Sequence, residues 1–197
     1  MRIVNKLLVG AVLFLVACNG IDQAYLDSIL AHRNSTNHTF FDAQTTPLDT
    51  NKLKTFTGLR FFEVNPNYKV TATLTKYADM PHFELPHSHN STKPYTQYGK
   101  INFTLNGNNY KLTVLEAVNK KEEYKNYLLI CFTDLTTGTE TYGGGRYLDI
   151  EIPKNNLVDI DFNLAYHPYC LYNSNYTCPI PPKENFINTR IEAGEKL

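Results

Sequence analysis

Apolar and polar residues alternate with period two over much of the chain beyond residue 65. Val70, Ala72 and Leu74 alternate with Lys69, Thr71, Thr73 and Thr75, which predicts a strand with one buried face, because successive strand side chains point to opposite sides. Ile101, Phe103 and Leu105 alternate with Asn102 and Thr104, and Asn106-Gly107-Asn108-Asn109 supplies turn residues before Tyr110, Leu112 and Val114; this predicts a hairpin. Tyr127 to Phe132 is apolar on both faces and predicts a central strand with Cys131 in the core. Leu148, Ile150 and Ile152 alternate with Asp149 and Glu151, and Leu157, Val158, Ile160 and Phe162 form another short strand. Helical spacing is found at Ile21, Tyr25, Leu26, Ile29 and Leu30, which predicts a short amphipathic helix, followed by a polar loop from Asn34 to Thr46. Short strands separated by turn residues predict a mainly β fold, a single antiparallel β-sandwich or barrel-like domain behind an N-terminal helix.

The first residues have another pattern. Arg2 and Lys6 precede an almost wholly apolar run from Leu7 to Ala17, the form of a secretory signal and too short to span a bilayer. Leu15-Val16-Ala17-Cys18 is similar to the lipobox of bacterial lipoproteins. That similarity implies a signal peptide over residues 1–17, cleavage before Cys18 and acylation of its sulfur, with palmitate-type chains holding the protein on a membrane. An ordinary signal peptide with Cys18 incidental, or an uncleaved anchor, is the alternative. The expected location is the cell envelope, exported and lipid-anchored at the outer membrane or periplasmic face. Residues 18–197 then form one domain, long enough to bury a sizeable core.

Charge removes one class of partner. Lys plus Arg and Asp plus Glu each number 19, so the formal net charge is +0. Lys120-Lys121 is followed at once by Glu122-Glu123, so no nucleic-acid partner is expected. Cys170 and Cys178 flank a polar loop and are read as a disulfide in an exported protein, with free thiols or a metal site that includes His167 as the alternatives. His82, His87 and His89 fall in a proline-flanked segment expected to be an exposed loop; without a third ligand at local spacing, no metal and no cofactor is assigned.

Motifs concentrate in the last third. Phe132-x-Asp134-x-Thr136-x-Gly138-x-Glu140-Thr141-Tyr142-Gly143-Gly144-Gly145-Arg146-Tyr147 resembles the signature of the DUF1684 proteins, as do Asp161-Phe162-Asn163-x-Ala165-Tyr166-x-Pro168, Cys178-Pro179-x-Pro181-Pro182-x-Glu184-Asn185 and Ala193-Gly194-Glu195. Phe56-x-Gly58-Leu59, Tyr98-Gly99 and Phe103 also fit. Their order and spacing together carry the resemblance, which implies a family of unknown function. His167 stands where that pattern has Asn, and His87-Ser88-His89 is outside it.

The same residues suggest chemistry. Gly143 to Gly145 permit positive φ and close backbone approach, so their N–H groups with Arg146 suit an anion; the alternative is a bend with Arg146 paired to Asp149 or Asp161. Asp161 and Asn163 share one strand face, from which they and Tyr166 reach a polar pocket, or else tie the strand to the tail. Glu184 and Glu195 offer carboxylates to Arg146 or to a ligand. Tyr142, Arg146, Asp161, Asn163, Tyr166 and Glu184 are therefore the candidate ligand-binding residues, for a small polar or anionic ligand. The leading expectation is a non-catalytic envelope binding protein. A hydrolase-like enzyme using Asp161 or Glu184 with Arg146, and a structural envelope protein, are the alternatives. The anchor is testable: Cys18→Ala leaves the protein in the soluble fraction after cell lysis, and retention of the variant in the membrane pellet contradicts the lipid reading.

Overall fold

The computed structural model describes residues 21–197, so the expected signal peptide over residues 1–17 and the expected acylation site Cys18 lie outside the described residues. Two helices come first, α1 (Gln23–Phe41) and the short α2 (Thr50–Thr55). Ten strands follow: β1 (Arg60–Phe61), β2 (Lys69–Lys76), β3 (His82–His87), β4 (Ser91–Leu105), β5 (Asn108–Ala117), β6 (Tyr127–Asp134), β7 (Arg146–Glu151), β8 (Leu157–Asp161), β9 (Phe186–Ile187) and β10 (Glu195–Lys196). The main sheet runs β7-β6-β5-β4-β2-β8, with β3 on β4 and β9 parallel to β6. Its two ends, β7 and β8, approach each other, so the sheet nearly closes into a barrel. The mainly β, barrel-like expectation thus holds.

The predicted alternations set the registers. Leu74 faces Ile101 across β2 and β4, and Ile101 faces Leu112 across β4 and β5. The hairpin turns at Asn106 (φ 50) and Gly107 (φ 77), the two left-handed residues that suit the twist of paired strands. Inside the barrel Phe132 and Phe162 meet edge to face at 5.4 Å. Ile187, Ile191 and Ala193 of the tail are buried in the same cluster, so the C-terminal segment completes the core.

Two expectations are corrected. The helix does not stop at Asn34 but continues to Phe41. Its inner face carries Ile29, Arg33 and Phe40, and two of its contacts are polar: Arg33 Nη1 donates to the Phe62 carbonyl at 2.9 Å, and Asn37 Oδ1 accepts the Leu59 N–H at 2.8 Å. A helix docked through polar groups lacks the apolar stripe by which helices are recognised. The segment around His87 is strand β3, not an exposed loop, and His87 is buried against Tyr95. Pro86 is tolerated there because the other edge of β3 makes only a single bridge, His87 with Pro179, in which Pro86 serves as an acceptor, its carbonyl taking the Ile180 N–H at 2.8 Å.

β5 and β6 pair in regular fashion at Leu115 and Leu129. Beyond that point a side chain takes over the ladder. Asn185 is fully buried; its Oδ1 accepts the Thr113 N–H at 2.7 Å, and its Nδ2 donates to the carbonyls of Thr113 and Cys131, both at 2.9 Å. Removing this amide strands backbone groups in the core. Asn185→Ala is expected to cost about 2–4 kcal/mol in urea denaturation, and a loss below about 1 kcal/mol contradicts the splice.

Candidate functional site

Arg146 opens β7, and it points into the protein. It is 1 % exposed. Nη2 donates to Asp134 Oδ2 at 2.8 Å and to the Ile191 carbonyl at 2.7 Å, while Nη1 donates to the carbonyls of Ala193 and, at 3.3 Å, Glu195. Asp134 is fixed in turn: its Oδ1 accepts the Thr136 hydroxyl at 2.6 Å and the Thr136 N–H at 2.8 Å, and its Oδ2 accepts the Ile191 N–H at 3.0 Å. The expected partners, Asp149 and Asp161, are replaced by Asp134, and the expected anion site has its guanidinium already occupied. The glycines serve the bend. Gly145 has φ +81, and a Cβ there would lie 2.5 Å from the Phe132 carbonyl oxygen, so no other residue brings the chain so close to β6. Tyr142 places its N–H on His167 Nε2 at 3.2 Å.

The other candidates separate into distinct groups. Asp161 and Asn163 meet through an Asx turn at the end of β8 rather than side by side on one strand face: the Asn163 N–H donates to Asp161 Oδ1, and Asn163 Nδ2 donates to Asp161 Oδ1, to the Tyr25 hydroxyl and to the Asn65 carbonyl, all at 2.9 Å. The Tyr25 hydroxyl donates to Asp161 Oδ2 at 2.9 Å, so this network ties α1 to the end of β8. Arg146 bonds to neither residue. Glu184 is exposed, with its nearest partner the Thr113 hydroxyl at 3.4 Å. Tyr166 donates its hydroxyl to Asp149 Oδ2 at 2.8 Å. Cys170 and Cys178 are neighbouring free thiols, with the Cys170 N–H 3.2 Å from Cys178 Sγ. Burial, helped by the contact with Cys170, pushes the Cys178 thiol up to about 12. Among the described residues no group of three or more His, Cys, Asp or Glu is placed to hold a metal.

Asn163 and Tyr166 do face a cavity, of about 410 Å³, roofed by His32, Thr36 and Phe40 of α1. Its floor comes from Tyr147 and Asp149 of β7, and its far walls from Leu164 to Tyr169, Tyr176 to Cys178, and Glu195. That size lies in the range of small-molecule sites. Asp149, His167, Tyr176 and the helix residues were not among the candidates. Asp149 was hidden as an ordinary polar position of an alternating strand, and the others come together only through the docking of α1.

Titration of the cavity groups is unusual. Burial raises the Glu195 carboxyl from 4.5 to about 7, against the lowering effect of hydrogen bonds from the His167 N–H and the Tyr172 hydroxyl and of the Arg146 charge. Burial, with Arg146 nearby, lowers His167 to about 3, so the imidazole is neutral and its Nδ1, 3.5 Å from Glu195 Oε2, makes no ion pair. Asp149 borders the cavity from an exposed position on β7; the protein packed around it raises its pKa, partly offset by the bond from Tyr166. A carboxyl poised near neutrality at a cleft makes that cleft a candidate functional site.

A family model described as "Protein of unknown function (DUF1684)" matches residues 54–196. The solution NMR structure of an uncharacterized protein from gene locus rrnAC0354 of Haloarcula marismortui is similar, with a TM-score of 0.69 and 29% identity, covering 89% of this chain and 95% of that one. No curated protein matches the chain.

Two predictions follow from the geometry. Asp134→Ala leaves Arg146 buried without its carboxylate and is expected to cost about 3–5 kcal/mol of stability; a near-neutral result in chemical denaturation contradicts the clamp. Glu195 binds a proton more tightly in the folded state, so its contribution is fully present below about pH 4.5 and is lost as pH rises through about 7. Glu195→Gln should therefore gain stability relative to the natural protein above about pH 7, and a pH-independent difference contradicts the raised pKa.

Proposed function

The chain belongs to the DUF1684 family, and for this member we propose a lipid-anchored cell-envelope protein that binds a small ligand in the cavity beneath α1. Cys18 carries the anchor, and the barrel presents the cavity outside the membrane. One observation carries the binding reading: the motif residues Arg146, Asp161 and Asn163 are spent on holding the tail and α1 in place, and what they hold are the walls of a cavity of about 410 Å³. A protein whose motifs served only its own fold has no need of such a cleft, which is open enough to admit a small molecule and is lined mainly by apolar and aromatic groups. In an oxidising compartment the neighbouring thiols of Cys170 and Cys178 join as a disulfide that fixes one wall.

A second reading, a hydrolase-like enzyme, is favoured by one feature, the Glu195 carboxyl near 7 at the cavity wall. It would serve as acid or base near neutral pH. Asp161 and Glu184, the carboxylates expected in that role, are respectively tied to Tyr25 and Asn163 and exposed away from Arg146. Cys178 in the wall is no thiolate nucleophile, being protonated when reduced and bonded to Cys170 when oxidised, and Arg146 has no donor directed at a developing anion, so the binding reading is preferred.

The test is a thermal-shift screen of small molecules on the natural protein and on Thr36→Trp, which fills the cavity from α1. A ligand of this cavity at about a hundred times its Kd stabilises the natural protein by about 2.7 kcal/mol and leaves Thr36→Trp unmoved. Stabilisation that survives Thr36→Trp puts binding elsewhere and defeats the reading.

A further inference from the structure

We propose that the cavity beneath α1 takes an organic cation, a small amine or quaternary ammonium whose apolar body packs on aromatic rings and whose charge is met by Asp149 and Glu195. This rests on the binding reading above and specifies its ligand. The sign of the charge comes from the lining. Asp149 and Glu195 both border the space, and among the described residues that line it there is neither Lys nor Arg. The two nearby cations are turned away: Arg146 is held by Asp134 and three tail carbonyls, and Arg33 lies over the Phe61 ring at 4.6 Å and donates to the Phe62 carbonyl. An anion in this space would meet two carboxylates and no free cation.

The walls suit an ammonium group. Phe40, Phe61, Tyr147, Tyr166, Tyr169 and Tyr176 surround the cavity. Tyr147 and Tyr166 stand edge to face at 5.8 Å, as do Tyr169 and Tyr176 at 5.3 Å, so each pair turns ring faces in different directions around the space. The negative faces of aromatic rings attract cations, most strongly where water is excluded. Tyr166 is oriented by its bond to Asp149, which couples a ring to a carboxylate.

Among the described residues neither carboxylate has a Lys or Arg as ion-pair partner; the Arg146 charge reaches Glu195 only from its clamp on Asp134. Glu195 is 4 % exposed, yet Oε2 is met by two neutral donors, the His167 N–H at 2.8 Å and the Tyr172 hydroxyl at 3.2 Å. His167 Nδ1 is buried without a partner beside it. Asp149 takes its hydrogen bond from Tyr166. A buried carboxylate without an ion-pair partner, as at Glu195, is costly, and a bound cation relieves that cost. The groups that face Glu195 are His167, Tyr172, Tyr169, Tyr166 and Arg146; the imidazole is neutral and the phenols stay protonated, so Glu195 is the group that titrates near neutrality. Cation binding should accordingly release a proton, and affinity should fall roughly tenfold between about pH 8 and about pH 6.

The test is calorimetric titration of the full chain in nanodiscs of neutral lipid. The probes are choline and benzyltrimethylammonium, each against its uncharged carbon isostere, 3,3-dimethylbutan-1-ol and neopentylbenzene, with phenylacetate as the anion. The cations are expected to bind at least about tenfold more tightly than their isosteres. Asp149→Asn and Glu195→Gln should each weaken the cations by a similar factor and leave the isosteres unchanged. Isosteres or phenylacetate binding as tightly as the cations, with binding lost in Thr36→Trp, overturn the charge assignment and leave the cavity reading standing. No binding by any of the probes overturns the charge assignment too, while the cavity reading is then decided by the wider screen. Equal affinity for the cations at about pH 6 and pH 8 removes Glu195 from the site.

Discussion

Arg146 carries a permanent positive charge into a region sealed from water, where an unpaired ion would cost several kcal/mol. Asp134 supplies the counter-charge from the end of β6, and the carbonyls of Ile191, Ala193 and Glu195 take the remaining donors. Those carbonyls all belong to the tail. The charge is satisfied only when the last residues of the chain are laid across the barrel, so the pair converts an electrostatic requirement into a position for the C-terminus. Ile187, Ile191 and Ala193 then fill the core from that side, and Glu195 arrives at the edge of the cavity as a consequence.

A second polar network does the same for the helix. Tyr25, Asn65, Asp161 and Asn163 exchange hydrogen bonds that join α1 to the barrel end. Arg33 and Asn37 dock the following turns. The helix is thereby held over the sheet with Phe40 inside and Thr36 facing the space between. The cavity has its roof and its far wall positioned by these directional bonds together with the packing of Phe40 on Tyr169 and Tyr172. Its chemistry follows from the same economy: the basic residues are consumed in construction, and the acids Asp149 and Glu195 are left facing inward.

The strands were legible because a sheet with one buried face writes its period into the sequence; Val70 to Leu74 and Ile101 to Val114 have their observed registers on that account. The second half of α1 was illegible because Arg33 and Asn37 occupy its inner face, and β3 because Pro81, Pro86 and its histidines resemble loop. Among the candidate residues, Asp161 with Asn163 could be anticipated from the Asx turn that an Asp-x-Asn segment offers at a strand end, and not from a shared strand face. Arg146 could be recognised as important but not assigned, since its partner Asp134 precedes it by a turn-rich loop and its carbonyl acceptors carry no side-chain signal. The cavity itself depends on residues as distant as Thr36, Asp149 and Glu195, which only the folded chain assembles.

The central claim is that the arginine of the glycine-rich motif builds the fold and is closed to ligands. The NMR signals of the Arg146 guanidinium protons test it most directly, followed while inorganic phosphate is added. A clamp bonded on both terminal nitrogens predicts separate, slowly exchanging Nη proton signals that phosphate does not move. A single averaged signal that exchanges quickly with water and shifts in a saturable way with phosphate would contradict the account and return the anion site to Arg146.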